Sequence, residues 1–289
     1  MTSVYSSPTE HDHAPLVPFY PDGPVVTVSW LAEHLGQDNL VVLCAAMNDA
    51  EQAQAAGIPG AHLADLEADF SDQSATLPHT VPGNLKTVLE SYGISDDTTV
   101  VVYDRQGLMV APRVWWLLRA AGLTKIGVLD GGLPAWKAAG LDVTELAIPV
   151  AKGNINATPR PELLVGADGV ERAIARSSKA VVDARSAGRF SGVDDEPRPG
   201  LEKGSIPGSV NIPFDEVVDA EGLLRAPADL RELFEHRTHH AKSLVFSCGS
   251  GVTACVDAYA AVVAGYEDVV VYDGSWAEWG NPKNQRPIA

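Results

Sequence analysis

Short unbroken apolar runs alternate with amphipathic stretches along most of this chain. Residues 98–103 (TTVVVY) form a β-branched run that predicts a strand buried on both faces. The loop DRQGLMVA follows, then a helix predicted from Pro112 to about Ala121. Proline suits a first helical turn, and Gly122 suits the position just past the end. Next come LTKIGVLDGG and a second helix containing Trp136.

About 143 positions further on, the same order returns. Ser243–Ser247 (SLVFS) predicts a strand, CGSGVTA a loop, and an Ala-rich stretch to Ala264 a helix closed by Gly265. YEDVVVYDGS and Trp279 complete the copy. Upstream, VVLCAAM (41–47) parallels AVVDARSA (180–187), which sets Cys44 against Asp183 and Ala46 against Arg185. GIPGAHLADL (57–66) parallels SIPGSVNIPF (205–214). Strands alternating with helices imply an α/β fold: two tandem domains, each a mostly parallel sheet flanked by helices on both faces. The expected limits are 25–147 and 161–289, joined by a Pro- and Gly-bearing polar linker at 148–160. Residues 1–24 read as a polar leader without the basic-then-apolar order of an export signal, so the expected location is cytoplasmic.

Charge narrows the partners. With a formal charge of −17 in 289 residues, the chain repels nucleic acid and anionic membrane, and an anionic substrate needs a local Arg or Lys cluster. No apolar run is long enough to span a bilayer. Three cysteines, Cys44, Cys248 and Cys255, argue against a disulfide framework. No Cys or His spacing suggests zinc, and His236, His239 and His240 read as a solvated helix end, so no metal is expected.

Cys248 stands apart from the other two thiols. It follows a buried strand and precedes a helix, at the strand end where parallel sheets bind ligands. The loop glycines Gly249 and Gly251 permit unusual backbone angles, and a tight loop there can present amides to an anion. The helix start adds partial positive charge. Each effect favours the thiolate, which is the nucleophile. Cys44 and Cys255 read as small buried apolar residues. The first copy has Arg105 where the second has Cys248, so it has no nucleophile in its loop. Phosphoryl transfer is disfavoured, because the sixth residue after Cys248 is Ala254 rather than a phosphate-clamping Arg.

At these residues the sequence resembles the rhodanese superfamily, and within it the mercaptopyruvate-using branch. The similarity rests on CGSGVTA (248–254), DARSAGRF (183–190), EPRPG (196–200), YDGSWAEWG (272–280), APRVWW (111–116) and LDGGLPAW (129–136). It covers roughly residues 25 to 280. The resemblance implies a sulfurtransferase that takes sulfur from 3-mercaptopyruvate as a Cys248 persulfide, releases pyruvate, and passes the sulfur to thioredoxin, another thiol or cyanide. No cofactor is implied. Arg189 and Arg198 match the family's substrate-binding arginines, although pairing with Asp194, Asp195 or Glu196 is the alternative. The loop residues Gly249, Gly251, Val252 and Thr253 are expected to line the bound donor. Ser250, His79 and Glu67 match a proton relay, with Glu67 standing where the family usually has Asp. Asp183 and Arg185 are expected to brace the loops, and Trp276 and Trp279 to pack in the core or at its rim. Thiosulfate as donor, which basic loop residues would favour, and a non-catalytic sulfur carrier are the competing readings.

Overall fold

The computed structural model describes residues 24–176 and 178–289; all of the expected leader except Pro24 lies outside them. Strands β1 (Val25–Val26), β2 (Leu40–Ala46), β3 (His62–Asp65), β4 (Thr99–Asp104) and β5 (Ile126–Leu129) form one sheet in the order β1-β5-β4-β2-β3. Helices α1 (Val28–His34), α2 (Ala50–Ala55), α3 (Leu85–Ser91), α4 (Ala111–Ala120) and α5 (Gly132–Ala138) connect them. The second sheet holds β6 (Leu164–Val165), β7 (Lys179–Asp183), β8 (Val210–Asn211), β9 (Ser243–Ser247) and β10 (Asp268–Tyr272), in the order β6-β10-β9-β7-β8. Its helices are α6 (Ala167–Ile174), α7 (Ala187–Phe190), α8 (Pro227–Arg237), α9 (Ala254–Val263) and α10 (Ser275–Trp279). Every pairing in both sheets is parallel.

Sheet register corrects the upstream alignment. Ala45 pairs with Asp104, and Asp183 pairs with Ser247, which occupies the place of Asp104 in the other copy. Ala45, not Cys44, is therefore the counterpart of Asp183. A shift of one residue reverses the face of a strand, so the match between Cys44 and Asp183 joined residues on opposite sides of their sheets.

Helices α4 and α9 are buried almost all round. A helix without a polar face is covered on every side, and these two cover each other. One apolar core runs through both halves and includes Val114, Trp115 and Leu118 together with Ala254, Tyr259 and Val271. The rings of Trp115 and Tyr259 meet edge-on, 5.0 Å between centroids. The seam is also stitched twice by hydrogen bonds related through the repeat. Val81 donates its amide to Asp273 at 3.1 Å, and Leu224 donates its amide to Asp130 at 2.8 Å. The two aspartates are the first residues of the repeated Asp-Gly pairs. His239 and His240 lie beyond the end of α8, and the His240 side chain is exposed. Among the described residues no helix is long and apolar enough to cross a membrane.

Candidate active site

Cys248 follows β9 and is 2% exposed. Its backbone is fixed from the α10 side: the Cys248 amide donates to Ser275 Oγ at 3.1 Å, and its carbonyl accepts from the Trp276 amide at 2.9 Å. Ser275 holds a left-handed φ of +47°, a costly angle for a residue with a side chain. The first copy has Gly132 at that place, with φ +52°. The second copy has serine there, whose hydroxyl accepts the Cys248 amide, and sequence reasoning missed it.

The amides that follow Cys248 distinguish the two copies. In the first half, Gln106 and Gly107 donate to one oxygen of Asp104, and Met109, Val110 and Ala111 donate to the other. A buried carboxylate thus fills the first loop. In the second half Ser247 stands where Asp104 does. The amides of residues 249–254 find no protein acceptor among the described residues. Buried amides demand a partner, and the helix start of α9 adds positive potential. The same backbone that holds a carboxylate in one copy is left open to an anion in the other, beside a thiol.

Gly251 takes φ +76°, and a Cβ there would lie 2.7 Å from the Asp273 carbonyl oxygen. Gly249 does not need an unusual angle; it needs space, because a Cβ would lie 2.9 Å from Arg189 Nη2 and 3.7 Å from Arg198 Nη1. Both guanidinium groups therefore converge on the loop. Arg189 is paired with Glu196 at 2.6 Å, as the alternative reading expected. Arg198 Nη2 donates to Ser250 Oγ at 3.1 Å and has no ion-pair partner among the described residues. Val252 is buried, and Thr253 stands at the start of α9 without a side-chain capping bond.

Asp183 and Arg185 form the expected brace. Arg185, 1% exposed, donates to both oxygens of Asp183, to Glu196 and to the Gly204 carbonyl, and lies 4.2 Å from the Trp276 ring centroid. Trp276 and Trp279 are core residues. Burial pushes the thiols of Cys44 and Cys255 up to about 12, which suits neither to nucleophilic attack.

The relay residues come near the same place without joining. Glu67, His79 and Arg198 line one cleft of about 370 Å³ between the halves. Glu67 sits on a turn, accepts the Asn48 amide at 3.0 Å and makes no bond to His79. Ser250 is likewise bonded to Arg198, not to His79. His79 holds φ +56° and its carbonyl accepts from Arg113 Nη2 at 2.6 Å. Burial first, then the charges of Arg198 and Arg113, lower its imidazole to about 4. Arg113, fully buried, also reaches Asp273 at 2.7 Å and the Gly251 carbonyl at 3.3 Å. Sequence reasoning missed Arg113; its only signal was a charge inside the otherwise apolar APRVWW run.

Comparison with known proteins agrees with this architecture. The sequence pattern of the rhodanese-like domain matches residues 27–139 and 167–282. The 3-mercaptopyruvate sulfurtransferase of Escherichia coli is 38% identical over 266 residues, covering 88% of this chain and 94% of that protein. The bovine thiosulfate sulfurtransferase is 37% identical over 228 residues, covering 77% of this chain and 76% of that one. The crystal structure of SseA from Escherichia coli, a 3-mercaptopyruvate sulfotransferase with the rhodanese fold, superposes with TM-score 0.78 at 35% identity, covering 88% of this chain and 98% of that one. This chain belongs to the rhodanese-like family, with two tandem copies of the domain.

Proposed function

We propose that this protein is a sulfurtransferase that takes sulfur from 3-mercaptopyruvate onto Cys248. The observation that carries this reading is the run of amides at residues 249–254 beside the thiol that have no protein acceptor among the described residues. The kinship with 3-mercaptopyruvate sulfurtransferases supports the choice of donor.

In the first step the Cys248 thiolate attacks the donor sulfur. The carbon–sulfur bond breaks, and its electron pair passes to carbon as the enolate of pyruvate. The proton released as the persulfide ionises balances the proton that the enolate takes up, so pyruvate leaves and a persulfide anion remains in the amide cradle. One hard transfer is thereby split into two easier ones. Arg198, which has no ion-pair partner among the described residues, binds the donor carboxylate. His79, neutral at pH 7, can relay that proton but does not arrive with a spare one. In the second step an acceptor thiolate, such as that of thioredoxin, or cyanide attacks the outer sulfur and restores the Cys248 thiolate. Both steps use the thiol and its surroundings without a cofactor.

Thiosulfate is the second donor to consider, because the bovine thiosulfate sulfurtransferase matches over most of the chain. The loop offers Gly249 and Ser250 rather than basic residues to a dianion. Mass spectrometry after incubation with each donor tests the proposal. Cys248 should gain the mass of one sulfur atom from 3-mercaptopyruvate, and the Cys248→Ser chain should gain none. No gain in the unaltered chain would refute it.

A further inference from the structure

The charges around Cys248 nearly balance: desolvation pushes the fully buried Asp257 carboxyl near it well above the usual carboxylate range, and most of the remaining ionic groups pair off. Arg185 and Arg189 share the carboxylates of Asp183 and Glu196. Arg113 is matched by Asp273. The imidazole of His79 is uncharged at pH 7. Among the described residues, Arg198 is the one cation at the loop that no carboxylate answers. Glu67 and Asp72 on the cleft wall add negative charge only.

The pivotal group in this account is Glu196. Its side chain is 3% exposed, with one oxygen 2.8 Å from Arg185 and the other 2.6 Å from Arg189. Asp183 already satisfies Arg185 in bidentate fashion, so Arg185 does not require a second carboxylate for charge balance. What Glu196 does besides is cancel Arg189, whose guanidinium lies against Gly249 next to the nucleophile. Without Glu196 the donor would face two uncompensated cations.

We propose that Glu196 is a specificity-determining residue: by neutralising Arg189 it leaves Arg198, among the described residues, as the single cation beside Cys248 without an ion-pair partner, and so selects a singly charged donor over a dianion. This rests on the sulfurtransferase reading and deepens it. In its thiol form, 3-mercaptopyruvate carries one negative charge, on its carboxylate. Thiosulfate carries two, and it must approach a thiolate that already bears one. At such short range an unbalanced charge in a partly dry cleft is costly.

The test compares kcat/KM for 3-mercaptopyruvate and for thiosulfate at pH 7, with cyanide as acceptor, in the full chain and in Glu196→Gln and Glu196→Asp. The Gln variant should raise the thiosulfate-to-mercaptopyruvate ratio on the order of tenfold. It should also steepen the fall of thiosulfate use with added salt. The Asp variant keeps the charge and should keep the ratio near that of the unaltered chain. An unchanged or lower ratio in the Gln variant overturns the proposal. Should that variant fail to fold, Arg189→Gln reads the same account in reverse: the free charge drops, and the ratio must fall; a constant or rising ratio overturns the proposal. If the unaltered chain loads sulfur from neither donor, the sulfurtransferase reading itself fails. If it loads from both and the ratio does not move, only the role of Glu196 fails.

Discussion

Arg113 Nη2 of the first half lies 2.7 Å from Asp273 Oδ1 of the second. The other oxygen of that carboxylate accepts from the Val81 amide, and the same guanidinium donates to the His79 and Gly251 carbonyls. One ion pair thus sets the His79 segment in register with the Cys248 loop. Replacing Arg113 by Met leaves a mostly buried carboxylate without its cation, which costs about 3 kcal/mol or more. Denaturant unfolding should show that loss, and sulfur loading should fall even at temperatures where the variant stays folded. A variant with native stability and turnover would remove the pair from this role.

Asp104 should matter to stability although it lies in the copy without a thiol. Five amides depend on its two oxygens. In Asp104→Asn one acceptor oxygen becomes a donor facing amides. The expected cost is about 3 kcal/mol or more, since each buried amide left unpaired carries its own penalty. The lower Tm should come without a direct change in donor preference.

At Ser275 the order of two substitutions is informative. Ser275→Ala keeps the strained φ and loses the bond to the Cys248 amide. Ser275→Gly loses the same bond but accepts the angle without strain. Alanine should therefore be the more damaging, by about 1 kcal/mol, in equilibrium unfolding. If the glycine variant is the less stable of the two, strain at this position is not the governing factor.

His79 gives a pH signature. Its folded value, about 4, lies below the ordinary 6.5, with burial as the leading cause and Arg198 and Arg113 contributing. The unfolded chain therefore binds the proton more readily. Its contribution to stability is complete above about pH 6.5 and is lost as pH falls from there towards 4. NMR titration of the imidazole should place its midpoint near 4, and Arg198→Met should move it upward. A midpoint at the ordinary value would contradict the buried, cation-flanked setting.

Much of this was legible in the chain itself. The strand Ser243–Ser247 was read to the residue, and β4 lay one position from its expected place. Local runs of β-branched residues and the glycines that end α4 and α9 carry that information. The offset of one residue at Cys44 and Asp183 arose because an apolar strand looks alike in adjacent registers; only its pairing partner tells them apart. Cys248, Arg189 and Arg198 could be singled out because they lie in short dense motifs, and the structure brings them together at one loop. Arg113 and Asp273 are 160 positions apart, and nothing local announces their meeting. Glu196 was visible as a neighbour of Arg189, but its second bond, to Arg185, depends on how the loop folds back.

The shared core of α4 and α9 makes the two halves depend on each other. Expressed alone, either half would expose a broad apolar face built from Trp115, Leu118, Tyr259 and their neighbours. The thiol-free copy is thus more than a spacer: it supplies the cover for α9 that its twin lacks.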